Sequence, residues 1–115
     1  MPFRVRRKLL ADSEFLALSV EVRETFITAF HALALADDPV QRGRDWYVEE
    51  TRQNQRVARE GLFSLHVMEH WRGSFFRRGR DLVFFGFGPR IGPGEDFYRR
   101  LARLREAVER LDDER

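Results

Sequence analysis

Five arginines, Arg72, Arg77, Arg78, Arg80 and Arg90, crowd into the later part of a 115-residue chain, and Tyr98 follows them. A guanidinium is a planar fork of donors that grips phosphate oxygens, often two at a time. Arg72 and Arg90 form a cleft if their strands are neighbours. Such a cleft suits one phosphate of an RNA chain and stabilises the extra negative charge that builds when a 2′-hydroxyl attacks it. Arginine stays protonated and moves no proton itself, so Tyr98, His66 or His70 must assist, or the ribose must be activated by strain. The competing role for these arginines is ion pairing with Glu69, Asp81, Glu95 and Asp96.

Other chemistry finds little support in the residue pattern. There is no phosphate-binding glycine loop, dinucleotide fingerprint, zinc spacing or paired-carboxylate signature. His66 and His70 stand four apart across a strand end, without a third ligand, so no metal site is expected. His31 falls within a helical pattern and reads as a helix-face or core residue. The chain has no cysteine, which removes disulfide and thiolate chemistry and fits a cytoplasmic protein. No cofactor is implied.

Size and composition bound the scaffold. At 115 residues, with 43% hydrophobic and 35% charged residues and 11 phenylalanines, one folded domain spanning 1–115 is expected. The net charge is only +2, so any nucleic-acid affinity must come from how the arginines are distributed. No segment is long and apolar enough to suggest a membrane span or a secretory leader.

The elements that must position the arginines are legible from periodicity. Phe3-Arg4-Val5-Arg6 alternates like an edge strand with both arginines on the wetter face. Leu9 to Leu18 reads as a short helix. Ser19 caps a longer one through Ala36, with Val22, Phe26, Ala29, Phe30 and Leu33 on one stripe, and Asp37-Asp38-Pro39 stops it. Residues 40–60 read as a variable surface linker, partly helical from about Trp46. Leu62 to Phe87 then breaks into three short strands.

Alternation sets Arg72, Ser74 and Phe76 on one sheet face and Trp71, Gly73, Phe75 and Arg77 on the other. In the last strand it groups Leu82 with Phe84, and Val83 with Phe85 and Phe87; both faces are apolar, so that strand is expected inside the sheet. Ile91-Gly92-Pro93-Gly94 is a turn. A final helix, within a C-terminal extension over 97–113, carries a stripe of Phe97, Leu101, Leu104, Val108 and Leu111. That stripe lies on the protein's own sheet or pairs two chains as a homodimer. The fold class is α+β: an N-terminal strand, a helical hairpin, an antiparallel three-stranded meander completing a small twisted sheet, and a C-terminal helix.

This order, from about Pro2 to Tyr98, resembles the RelE/ParE toxin superfamily of toxin–antitoxin systems. Trp71-Arg72-Gly73-Ser74-Phe75 is similar to the family's Tyr-Arg-aliphatic-aliphatic-Tyr strand, Gly88-Pro89-Arg90 to its Gly-His-Arg strand end, and Asp96-Phe97-Tyr98 to its acidic-hydrophobic-Tyr element. The resemblance implies a ribosome-dependent endoribonuclease that cleaves messenger RNA by 2′-hydroxyl attack and leaves a cyclic phosphate. It assigns phosphate contact to Arg72 and Arg90 and a nearby role to Tyr98.

Further RNA contacts then fall on His66, Arg77, Arg78 and Arg80, and on Arg52, Arg56 and Arg59 as counterparts of the family's linker and second-strand basic residues. The implied partners are a cognate antitoxin, messenger RNA and the ribosome. Pro89 stands where the family has histidine. That departure keeps open a non-enzymatic alternative, a DNA gyrase inhibitor of the ParE type or an inactive homologue.

Overall fold

Phe3 anchors the first strand: its side chain is buried while Arg4 and Arg6 next to it are exposed, so the short alternating segment turns one side inward and leaves charge outside. A computed structural model describes residues 3–50 and 62–90 of the chain. In order these form β1 (Arg4–Arg7), α1 (Leu9–Leu16), α2 (Val20–Leu35), β2 (Arg42–Gly43), β3 (Trp46–Glu50), β4 (Leu62–Val67), β5 (Trp71–Arg78) and β6 (Asp81–Pro89). The strands make one six-stranded sheet in the order β1-β6-β5-β4-β3-β2. Only the β1–β6 pair is parallel. The helical hairpin carries the chain from β1 at one edge of the sheet to β2 at the other, and the antiparallel strands then step back until β6 lies parallel beside β1.

The helices start and stop where side-chain chemistry dictates. Ser19 is the N-cap of α2, its hydroxyl accepting from the Val22 amide at 3.4 Å. The helix ends at Leu35, and Ala36 is already extended with φ −87° and ψ 155°. One stripe of the hairpin, including Phe15, Val22, Phe26, Phe30 and Leu33, buries against Leu65, Val67, Phe75, Leu82, Phe84 and Phe87 of the sheet. The rings of Phe26 and Phe87 meet edge to face at 5.2 Å, and those of Phe30 and Phe84 at 4.9 Å. Each such ring contributes about 1.5–3 kcal/mol by burial.

Gly73 makes this packing fit. A Cβ there would lie 2.9 Å from the Phe87 ring and 3.1 Å from the Phe26 ring. A glycine that looks like a weak point in a strand is the space into which two phenylalanines pack.

Two expectations are corrected. The segment from Trp46 is not helical: Trp46–Glu50 is a strand paired antiparallel with β4, and Arg42–Gly43 pairs with it in turn. Trp46 and Val48 are buried and Tyr47 and Glu49 exposed, so period-two burial outweighs helix propensity here. The sheet is correspondingly wider than a three-stranded meander with one added strand.

Phe87 also changes sides. Ser74 pairs with Gly86 but Phe75 pairs with Phe84, so Phe85 is an extra residue in β6. This bulge resets the alternation and returns Phe87 to the helix-covered face beside Phe84. β6 does lie inside the sheet, with Phe84 and Phe85 both buried on opposite faces. The expected C-terminal helix over 97–113, Tyr98, and Arg52, Arg56 and Arg59 lie outside the described residues.

Candidate phosphate-binding site

Strand pairing lines up one row of side chains across the sheet. Arg42 pairs with Tyr47, Tyr47 with His66, His66 with Arg72, and Arg72 with Gly88. Opposite residues share a face, so the row runs across five strands on the face turned away from the helices. The neighbouring row is small, with Ser64 opposite Ser74 and Ser74 opposite Gly86.

Arg72 is 5% exposed, yet no carboxylate pairs with it among the described residues. Its Nη1 donates to the backbone carbonyls of Glu69 at 3.2 Å and Trp71 at 2.9 Å. Its buried Nε has no hydrogen-bond partner. The guanidinium is thus held by neutral carbonyls, with one buried donor left unpaired, an arrangement whose positive charge no described carboxylate offsets.

The β4–β5 turn holds both arginines. Its Glu69 carbonyl fixes Arg72, and its His70 carbonyl accepts from the Arg90 amide at 2.6 Å. The turn is itself tied down, since the Met68 amide donates to the Asp45 carbonyl at the tip of the β2–β3 hairpin. Met68 and Asp45 both have left-handed backbones, with φ of 53° and 65°.

His66 occupies the position between these charges and the sheet edge. Burial, then the positive charges of Arg72 and Arg90, push its pKa down to about 4, so the imidazole is neutral at pH 7. Its Nε2 is 3.4 Å from the Glu49 carboxylate, a contact that is not an ion pair while the ring is neutral. The Tyr47 ring stacks on it at 4.4 Å, with 13° between the planes. A cleft of about 530 Å³ opens here, lined by Arg42, Asp45, Tyr47, His66, Glu69 and Arg72.

The site therefore brings together Arg72, Arg90 and His66 from the sequence expectations, with His70 contributing its carbonyl. It does not bring in Arg77, Arg78 or Arg80. These lie at the opposite end of β5, where Arg78 pairs with Asp81, about 20 Å along the strand from Arg72. Arg77 and Arg80 cover the Phe3 ring at 4.9 and 5.6 Å, and Arg78 covers Phe76 at 5.3 Å. Asp81 is bridged by Arg4 at 2.8 Å and Arg6 at 3.5 Å rather than by its neighbours in sequence. Tyr47, Glu49 and Arg42 were missed. The signal for them was the alternation of Trp46 and Val48 with Tyr47 and Glu49, which a helical reading of that segment hid.

No helix among the described residues is long and apolar enough to cross a membrane. No protein-family model matches the chain. No curated protein matches it either. Solved structures do. The archaeal RelE–RelB complex from Pyrococcus horikoshii OT3 contains a chain matched over its full length and over 81% of this one, at 17% identity and a TM-score of 0.56. A free-state mutant of the E. coli toxin RelE matches over 98% of its length and 96% of this chain, at 17% identity and a TM-score of 0.53. At such identity the likeness is one of architecture, and by architecture this chain has the fold of the RelE toxins.

Proposed function

We propose that the chain is a toxin of RelE type that cleaves messenger RNA on the ribosome. The observation that carries this reading is the pair of arginines held by one turn, Arg72 through its side chain and Arg90 through its amide, beside a neutral imidazole. In the proposed reaction the ribose 2′-oxygen attacks the adjacent phosphorus, the bond from phosphorus to the 5′-oxygen of the next nucleotide breaks, and a 2′,3′-cyclic phosphate remains. Arg72 and Arg90 stabilise the charge on the phosphoryl oxygens as it grows.

The 2′-hydroxyl proton needs an acceptor and the leaving oxygen a donor. Tyr98 is assigned near the phosphate by family resemblance. Within the described residues, His66 with the Glu49 carboxylate at its Nε2 is one pair able to accept a proton beside the arginines, and Asp45 and Glu69 line the same cleft.

One of the solved structures sharing this fold is a RelE–RelB complex. A cognate antitoxin is therefore part of the proposal. Leu9, Leu16, Val20 and Leu35 are exposed on the helical hairpin and offer apolar surface for it. Arg90→Ala is expected to reduce ribosome-associated transcript cleavage at least about 100-fold, with an unchanged circular dichroism spectrum. Cleavage mapping after induction reads this, and wild-type cleavage by the variant rejects the role of Arg90.

The non-enzymatic reading has one observation in its favour: Arg72 spends Nη1 on its own backbone, as a structural arginine does. Inhibition of DNA gyrase supercoiling by the purified protein, with transcripts left intact, would establish that reading instead.

A further inference from the structure

The row of side chains does not stop at the phosphate-gripping arginines. Beyond His66 it continues through Tyr47 to Arg42 on the outermost strand. Tyr47 is 38% exposed, although its ring is stacked on the buried His66. One face of the phenol is thus backed by a rigid, uncharged aromatic surface while the side chain stays open to the cleft. Stiffness matters, because a ring already held in place loses little freedom when a ligand stacks on it. Trp46 fixes the strand beneath: its indole sits against Gly43, where a Cβ would be only 2.1 Å from the indole nitrogen.

The charges along the cleft sort the parts of a nucleotide. Arg72 lies at one end and Arg42 at the other, three strand spacings or about 14 Å apart. Tyr47 and His66 stand between them in the row, and Asp45 and Glu69 also line the cleft. Their carboxylates repel a phosphate and accept hydrogen bonds from amino and imino groups of a base. Backbone phosphates therefore belong at the two arginine ends and a base over the middle.

We propose that Tyr47, backed by His66, is the stacking platform for the nucleobase flanking the phosphate held by Arg72 and Arg90, and that Arg42 holds a second phosphate of the same single strand. The inference rests on the reading of this face as an RNA site, and it names a contact that resemblance to the toxins does not assign. It requires no cleavage.

Binding is measured by fluorescence anisotropy with a labelled pentaribonucleotide that is 2′-O-methylated at every sugar, so that the nucleophile is blocked. Tyr47→Ala should weaken binding about tenfold and Tyr47→Phe by less than about twofold, because stacking needs the ring and not the hydroxyl. Probes with one abasic position, scanned along the strand, should identify one position whose loss weakens the wild type about tenfold but scarcely affects Tyr47→Ala. Arg42→Ala should lower the slope of log affinity against log salt by about 0.7, as expected for one lost phosphate contact to a single strand.

No measurable binding by the wild type overturns the proposal. So does equal binding by wild type and folded Tyr47→Ala. Failure of the nuclease reading looks different: transcripts stay intact on ribosomes while the oligonucleotide still binds through Tyr47. Conversely, ribosomal cleavage with no dependence of oligonucleotide binding on Tyr47 removes this inference alone.

Discussion

His66 shows how a single residue reports on its surroundings. Its ring is buried at the side of two guanidinium groups, and all three influences disfavour the imidazolium. An unfolded chain titrates its histidine near the ordinary 6.5, whereas the folded chain resists protonation until about pH 4. Acidification through this window therefore protonates the unfolded state first. The stability that His66 contributes is present above pH 6.5, falls as pH drops from 6.5 to 4, and is fully lost below that. The upper bound is about 3 kcal/mol. Urea midpoints across this range should slope more steeply for the wild type than for His66→Gln. Equal slopes would show that His66 is not buried as described. Arg72→Lys tests the neighbouring position: a lysine has one ammonium where two carbonyls and an incoming phosphate must be bridged, so cleavage should fall at least about tenfold in a folded variant.

At the scale of the element, the β4–β5 turn positions Arg72 and Arg90 through its backbone carbonyls. Met68 has φ of 53°, a conformation that β-branched residues resist and asparagine accepts. Met68→Val should cost about 1–3 kcal/mol and disturb Arg72 and Arg90 together, while Met68→Asn should retain RNA binding. Thermal melts and oligonucleotide binding on the two variants separate these outcomes; equal behaviour would remove the turn's positioning role. In β5, Gly73→Ala should destabilise by about 1–3 kcal/mol, because the rings it would meet at 2.9 and 3.1 Å are both buried. A variant as stable as the wild type would mean that Phe26 and Phe87 repack at no cost.

Across the described part of the molecule, the arginines predicted to contact phosphate fall into two groups at opposite ends of β5. Arg72 and Arg90 sit at the β4–β5 turn, while Arg77, Arg78 and Arg80 gather at the β5–β6 hairpin beside Arg4, Arg6 and Asp81. A modest net charge of +2 conceals this arrangement. A strand laid across the sheet from Arg72 to Arg42 runs away from the far group, which lies further along β5. Replacing Arg78 and Arg80 with glutamine should leave pentaribonucleotide affinity within about twofold, and should weaken association with the much larger ribosome in a salt-dependent way. Loss of oligonucleotide affinity in that variant would show that the strand runs along β5 rather than across it.

Local information determined much of the architecture. Alternation marked β1 and the meander, Ser19 and Pro39 bracketed α2, and period two in β5 put Arg72 with Ser74 on one face. These features depend on a residue and its near neighbours, which is all that propensity and periodicity encode. Tertiary structure decided the rest. The bulge at Phe85 moved Phe87 to the helix side, where its ring packs against Phe26 in the space left by Gly73. Trp46–Glu50 became a strand because β4 offered an unpaired edge with matching burial. Arg72 and Arg90 are 18 positions apart in the sequence, and backbone carbonyls that no side-chain code announces bring them to one turn. Tyr47 and His66 face each other only because strands from distant parts of the chain pair in that register.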